Sequence, residues 1–256
     1  MRSIVLILLT TYVTIVHAKS FDQRHITWNT LLKQNVIQIK NTTAVDYIRI
    51  KQDPSLLNSY LNSIQNITPD EFKSFTSKQQ LALLINAYNA YTIKLVVDNY
   101  PIKSIKDIGG IFSSPWKKDF LYILGEKRNL DYIEHELIRK NYNEPRIHFA
   151  VVCASIGCPS LRNEAYIDIE LDNQLEDASK NFLQDKTRNY YDSKNKSLYL
   201  SSIFKWYKSD FEKNSMTIQK FVSSRITSNS TIQKEIVINN PKIEFLDYDW
   251  NLNIKK

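Results

Sequence analysis

Two cysteines, Cys153 and Cys158, lie in the stretch FAVVCASIGCPSL and are the only cysteines of the 256-residue chain. Such sulfurs serve as nucleophiles, metal ligands, redox pairs or disulfides. The C-x4-C spacing matches neither a C-x2-C redox motif nor half of a zinc box. The chain has four histidines, and one of them, His17, lies in the N-terminal segment 1–18, so a structural zinc site is hard to assemble. We therefore expect no metal and no other cofactor.

Two interpretations of the cysteines stay open. In an exported protein, an even number of cysteines favours a disulfide between Cys153 and Cys158. Alternatively, Cys153 is a nucleophile that a histidine activates. A continuous strand would point His148 and Cys153 to opposite faces, so His135 is the expected base, with Glu134 or an asparagine as the group that orients its ring.

Two asparagines, Asn86 and Asn89, lie three residues apart on one face of the otherwise apolar segment INAYNAYTIK. Buried amides must find hydrogen-bond partners. They either fix the helix to a neighbouring loop or line a polar site. In the second case, Asn86 would donate to an oxyanion, and Asn89 would bind ligand together with His148.

The elements that must position these residues follow from hydrophobic periodicity and turn signals. We predict a single mixed α+β domain with a helical N-terminal half, a β-hairpin and a small mixed sheet. The elements that bear on the site are a short strand within 42–51, a central helix over about 78–100, a hairpin within 116–131 that turns at Gly125 and Glu126, a short helix after Asp131, a buried strand over 147–152 and an amphipathic helix within 168–185.

Residues 1–18 combine Arg2, a short apolar run and a small-residue cleavage site, which is typical of a secretory signal peptide. We expect a secreted or periplasmic protein that begins near Lys19 and has no membrane span after cleavage. The formal net charge is +7, but the basic residues are scattered rather than clustered, so we do not expect a nucleic-acid partner. A helical lead-in over 19–69 would precede the main domain and its C-terminal extension over 70–256.

Several motifs occur in an order that resembles one known family. They are LLINAYNAYTIKLVVDNYP, IKDIGGIFSSPWKKDFLYILG, NLDYIEHELIR, PRIHFAVVCASIGCPSLRNEAY and QLEDASKNFL. This order is similar to the family catalogued as domain of unknown function 547, over roughly residues 70 to 210. The resemblance implies that the matched polar residues share one site, namely Asn86, Asn89, Glu134, His135, His148, Cys153 and Cys158. The arrangement is also loosely similar to papain-like and transglutaminase-like hydrolases.

Two hypotheses about function follow. In the first, the protein is an exported binding or scaffold module with a disulfide-closed loop, and its partner is an unknown protein, peptide or glycan. In the second, it is a cysteine-dependent hydrolase or acyl transferase that uses Cys153 and His135. A protein with a Cys153–Cys158 disulfide fits the first hypothesis, and a reactive Cys153 thiol fits the second.

Overall fold

The computed structural model describes residues 20–40, 42–110 and 113–255, so the predicted signal peptide lies outside the described residues. Helices dominate, and the strands form small separate sheets, which confirms the α+β class. No helix among the described residues has the length and apolar character that a membrane span requires. The N-terminal half contains α1 (Ile26–Asn35), β1 (Val36–Ile39), β2 (Thr42–Val45), α2 (Tyr47–Gln52), α3 (Ser55–Gln65), α4 (Pro69–Ser74), α5 (Ser77–Asn99), β3 (Leu121–Ile123) and β4 (Glu126–Arg128).

The second half begins with a π-helix over Tyr132–Arg139 and a 3-10 helix over Pro145–Phe149. A long loop that contains both cysteines then leads into α6 (Leu171–Leu183). The remaining elements are β5 (Tyr190–Asp192), β6 (Ser197–Ser201), α7 (Ile203–Trp206), α8 (Lys208–Phe211), α9 (Ile218–Ile226), α10 (Ser230–Asn239) and β7 (Lys242–Leu246). In the three-stranded sheet, β6 pairs antiparallel with β5 and parallel with β7.

The predicted central helix is α5. Thr76 and Gln79 form a capping box at its start, which satisfies backbone N–H groups that a helix start leaves unpaired. Its residues between Leu81 and Val97 are buried on nearly all sides, and the helix packs against α2, α3 and the π-helix. A helix that is apolar all round belongs in a core, and α5 has that position here.

One predicted strand is shorter than expected. The extended segment ends at Val45, and the next residue, Asp46, caps α2 by accepting a hydrogen bond from the Arg49 backbone N–H. Ile48 and Ile50 therefore lie on a helix, where Ile48 is 46 % exposed and Ile50 is buried. The side-chain cap at Asp46 favours helix over continuation of the strand.

The predicted buried strand over 147–152 is wrong. The chain instead forms the 3-10 helix that starts at Pro145, with Glu144 accepting a hydrogen bond from the Arg146 backbone N–H. Residues 150–152 follow as irregular backbone. Here the amide of Asn89 takes the place of a neighbouring strand: its Nδ2 donates to the Ala150 carbonyl at 2.9 Å, and its Oδ1 accepts from the Val152 N–H at 2.9 Å.

Asn86 makes the same kind of two-way contact one helical turn earlier. Its Nδ2 donates to the Tyr166 carbonyl at 2.7 Å, and its Oδ1 accepts from the Tyr166 N–H at 3.0 Å. Both asparagine side chains are buried. The two amides therefore connect the central helix to the loops before and after the cysteines.

Two hydrophobic clusters build the core. The larger one surrounds α5, and the smaller one contains Phe149 together with residues of α6, β6, α7, α8 and α9. Helix α6 contributes to both, through Leu171 and Leu175 on one side and Phe182 and Leu183 on the other. The 3-10 helix lies at the boundary, since Ile147 belongs to the first cluster and Phe149 to the second.

Replacing either buried asparagine should destabilise the fold. Asn86→Ala or Asn89→Ala leaves a buried N–H and a buried C=O without partners, and each unsatisfied group costs about 1–3 kcal/mol. We expect each variant to lower the free energy of unfolding by at least roughly 2 kcal/mol in urea titrations. Asn62→Ala, on the exposed face of α3, is the control and should change it little. Wild-type stability in both buried variants would contradict these contacts.

His25 should give the protein a measurable pH dependence of stability. Burial lowers the pKa of His25 from 6.5 to about 4. As the pH falls below 6.5, His25 therefore binds a proton in the unfolded chain but stays neutral in the folded chain. Stability is therefore full above pH 6.5 and falls toward pH 4, by about 2 kcal/mol between pH 7 and 5. His25→Asn tolerates the left-handed backbone at this position (φ 49°) and removes the titration. Urea titrations at pH 7 and 5 should show a smaller pH effect in the variant, and an equal effect would contradict the assignment.

Candidate functional site

A cavity of about 210 Å3 lies at the boundary of the two hydrophobic clusters. It contains most of the predicted site residues: Glu134, His135, His148, Cys153 and Cys158. Asn86 and Asn89 are not among its lining residues, because their amides are bound to loop backbone behind it. The other lining residues are Tyr88, Ser114, Trp116, Asp131, Val151, Pro159, Ile203, Trp206, Tyr207, Tyr248 and Trp250.

The two cysteines form a disulfide. Since a disulfide sulfur can only accept, the Ser155 hydroxyl donates to Cys153 Sγ at 3.0 Å and the Tyr248 hydroxyl donates to the same sulfur at 3.1 Å. The Cys153 backbone N–H donates to Cys158 Sγ at 2.8 Å. The bond therefore closes a loop of four residues between the two cysteines at the cavity wall and places Cys153 Sγ within reach of two hydroxyl donors.

His148 is held at the cavity by a buried carboxylate. Its Nε2–H donates to Asp210 Oδ2 at 2.8 Å, and Arg139 Nε donates to the same oxygen at 2.6 Å. The ring stacks on Tyr207 with 3.8 Å between centroids. Burial lowers the pKa of His148, which the bond to Asp210 only partly opposes. His148 Nδ1 is buried and has no hydrogen-bond partner among the described residues.

The hydrogen bonds from His148 and Arg139 also change the pKa of Asp210. Burial would raise its pKa, but the hydrogen bonds from His148 and Arg139 outweigh that effect and hold the pKa of the Asp210 carboxyl well below its usual range. Asp210 is thus a fixed negative charge beside a neutral imidazole. In this tautomer the proton is on His148 Nε2, and the lone pair is on Nδ1.

Glu134 is the second buried acid of the cavity. It is only 4 % exposed, and its Oε1 has no hydrogen-bond partner among the described residues, although the hydroxyls of Tyr88 and Tyr207 lie beside the same carboxylate. Burial and then the charge of Glu134 raise the pKa values of Tyr88 and Tyr207 well above the usual value. Burial and the same charge also raise the pKa of Asp131, which lines the cavity beside it. Two carboxylates therefore give the cavity an excess of hydrogen-bond acceptors.

His135, the base expected from the sequence, has a different environment. Arg139 Nη1 donates to His135 Nδ1 at 2.8 Å, and a guanidinium can only donate. The proton of a neutral His135 is therefore on Nε2, which lies 3.9 Å from Asp131 Oδ1. In this arrangement neither ring nitrogen of His135 has a lone pair available to accept a proton from a thiol.

Aromatic side chains form the remaining wall. Trp206 packs against Tyr248 and Trp250, with ring centroids 4.9 and 5.7 Å apart, and Trp116 lies 5.8 Å from Trp250. Trp206 is 47 % exposed. The wall thus presents flat apolar surface both inside the cavity and at its rim, a combination suited to stacking.

Some of these residues were not identified from the sequence. Asp131 was expected only as a helix cap, and Asp210, Tyr248 and Trp250 were not assigned to the site. The alternation in LDYDWN places Tyr248 and Trp250 on one face, which could have indicated an aromatic surface. Asp210 carries no such signal because its partners, Arg139 and His148, lie more than 60 residues away in the chain.

The site offers no metal centre in the part of the chain that the structure describes. No group of three or more His, Cys, Asp or Glu side chains there is placed to hold an ion.

Comparison with known proteins confirms the resemblance seen in the sequence. Residues 72–183 match the family model described as protein of unknown function, DUF547. No curated protein and no solved structure matches the chain at a significant level. The matched segment supplies Glu134, His135, His148 and both cysteines. The residues that complete the cavity, among them Trp206, Tyr207, Tyr248 and Trp250, come from beyond it.

Proposed function

We propose that this DUF547 protein is exported and acts as a glycan-binding module, with the cavity holding one sugar ring. The observation that carries the proposal is the unmatched set of acceptors in an aromatic cavity. Glu134 Oε1 and His148 Nδ1 are buried acceptors that no described residue serves with a donor. Buried acceptors of this kind need donors, and a sugar carries several hydroxyl donors on one rigid ring.

The two open acceptors of the cavity need donors at separate positions. Arg139 donates to Asp210 and also bonds His135, so its N–H groups do not serve Glu134 Oε1 or His148 Nδ1. A sugar ring carries hydroxyls in several directions and can donate to both acceptors at once, which is why we favour a glycan. A lysine-containing or arginine-containing peptide, whose charge would suit the carboxylates of Asp131 and Glu134, is the alternative that the experiment must separate.

The size and walls of the cavity also fit a sugar. Sites that enclose drug-sized ligands measure about 300–1,000 Å3, and this cavity of about 210 Å3 suits a single ring. The apolar faces of pyranose rings stack on aromatic side chains, and Trp206, which packs on Trp250, provides such a surface. The half-exposed Trp206 extends the surface to the rim, where a second residue of an oligosaccharide would lie.

Export rests on the sequence of residues 1–18 and agrees with the disulfide, since disulfides persist mainly in oxidising compartments. We expect the protein expressed in a bacterial host with its full N-terminus to be recovered from the periplasm or medium with Lys19 as its first residue. Intact mass and N-terminal sequencing measure this directly. A protein that keeps residues 1–18 and stays in the cytoplasm would contradict the proposal of export.

Glycan binding is tested by tryptophan fluorescence and calorimetry. The oxidised protein is titrated with chito-, cello-, xylo- and malto-oligosaccharides, and we expect one of these series to bind and to change the emission. Trp206→Ala should weaken binding about tenfold, equivalent to about 1.4 kcal/mol, and Glu134→Gln should weaken it as well. Tyr122→Ala is the matched control, because Tyr122 is 48 % exposed and is not a lining residue of the cavity.

The outcomes separate the ligand classes. Binding of a lysine-containing or arginine-containing peptide that depends on Trp206 and Glu134, with no saccharide bound, would overturn the glycan assignment while keeping the cavity as the site. Saccharide binding that Trp206→Ala and Glu134→Gln leave unchanged would place the site elsewhere. Binding of neither class would overturn the proposed function.

A further inference from the structure

We infer that the cavity also holds a thiol acyl-transfer site that the Cys153–Cys158 disulfide keeps closed, with Cys153 as nucleophile, His148 as base and Asp210 as the group that positions His148. The substrates would be carboxylic esters and amides. The disulfide form cannot perform this reaction, since its sulfur carries no thiolate. Acyl transfer would therefore be a property of the reduced protein, whereas the binding function proposed above belongs to the oxidised protein.

The arrangement of His148 carries this inference. Its Nε2–H donates to Asp210 Oδ2 at 2.8 Å, so its remaining lone pair is on Nδ1. That Nδ1 is buried, has no partner among the described residues, and belongs to a ring that lines the same cavity as Cys153. A ring fixed by a carboxylate on one nitrogen, with the other nitrogen free to accept, has the arrangement of a general base.

The surroundings of Cys153 are suited to a thiolate. The hydroxyls of Ser155 and Tyr248 already donate to Cys153 Sγ at 3.0 and 3.1 Å, and the same donors would stabilise a negative sulfur. Opening the disulfide would also release the Cys153 backbone N–H, which donates to Cys158 Sγ at 2.8 Å. That N–H could then donate to the oxyanion that forms at the attacked carbonyl.

The continuous strand expected from the sequence would have separated His148 from Cys153. The chain instead forms a 3-10 helix over Pro145–Phe149 and irregular backbone after it. The strict alternation of strand faces therefore does not apply, and both side chains line one cavity. His135 lacks this geometry, because Arg139 already donates to its Nδ1.

The reaction balances with a dithiol as reductant. The dithiol transfers two hydrogen atoms to the disulfide, becomes a disulfide itself and leaves Cys153 and Cys158 as thiols. Cys153 Sγ then bonds to the acyl carbon while its proton passes to His148 Nδ1, and the leaving alcohol or amine takes that proton as its bond to the acyl carbon breaks. Water attacks the thioester, gives a proton to Nδ1, and the acid departs as this proton returns to the sulfur. Asp210 stabilises the imidazolium in both steps.

The decisive variants remove the disulfide with and without the nucleophile. Cys158→Ser leaves Cys153 free, so it should hydrolyse 4-nitrophenyl acetate without reductant and carry an acetyl group on Cys153 by mass spectrometry. Wild type should do so only after reduction with dithiothreitol. Cys153→Ser/Cys158→Ser lacks the same disulfide and has no thiol, so it should show no acetylation. Equal rates in this double variant and in Cys158→Ser would overturn the inference.

A simple accessible thiol also reacts with this ester, so the base must be tested in the Cys158→Ser background. Adding His148→Gln should lower the acylation rate about 100-fold or more, the usual contribution of a general base, while circular dichroism shows whether the variant remains folded. If it does not fold, Asp210→Asn provides the test. A loss with His135→Gln that equals the loss with His148→Gln would overturn the assignment of the base.

The pH profile separates a positioning role of Asp210 from a structural one. The charged and titratable groups that face His148 are Asp210, Glu134, Arg139 and Tyr207. Asp210→Asn removes the negative charge that favours the imidazolium, so the acidic limb of the acylation profile should move to lower pH while the maximum rate falls. An unchanged limb would overturn the role of Asp210. Because glycan binding is measured on the oxidised protein, failure of either proposal leaves the other testable.

Discussion

The rest of the structure depends on the hydrogen bonds that two buried side-chain amides of α5, Asn86 and Asn89, make to loop backbone. The segments around Ala150, Val152 and Tyr166 are irregular and buried, so their backbone groups cannot rely on a strand ladder or on solvent. Asn86 and Asn89 supply donor and acceptor to each segment from one rigid helix. Because this helix is buried on nearly all sides, the loop that carries the cysteines is attached to the central helix of the core.

The C-terminal segment closes the same loop from the other side. The Ile156 and Gly157 N–H groups donate to the carbonyls of Asn251 and Asp249, and the Asn253 N–H donates to the Ala154 carbonyl. A Cβ at Gly157 would lie 2.9 Å from the Asp249 nitrogen, so the close approach requires glycine. The cavity is consequently built by two parts of the chain: the family segment supplies Glu134, His135, His148 and both cysteines, and the residues after it supply Asp210 and most of the aromatic wall.

The sequence predicted what periodicity and caps can encode. The central helix, the hairpin and the short helix that carries Glu134 and His135 were expected from apolar spacing, turn residues and Asp131, and the resemblance implied one shared site. The predictions from the sequence failed where a side chain that is distant in the sequence determines the local backbone conformation. The segment 147–152 has the composition of a buried strand, but Asn89 satisfies its backbone groups and makes a strand partner unnecessary. Asp210 was missed for the same reason, because its partners are distant in sequence.

Two buried carboxylates at the cavity, Asp210 and Glu134, differ in whether donors serve their oxygens. Asp210 is matched by His148 and Arg139, so it can be buried without a large penalty. Glu134 lies in the same cavity, yet no described residue donates to its Oε1. A buried acceptor of this kind lowers stability, and the fold offsets that cost elsewhere, through the amide contacts of α5 and the packing around it. Deviations from good packing chemistry concentrate at functional sites. The open Oε1 of Glu134 and the free nitrogen of His148 therefore support the proposal that the cavity is the functional part of this protein, more directly than the cysteines that first attract attention in its sequence.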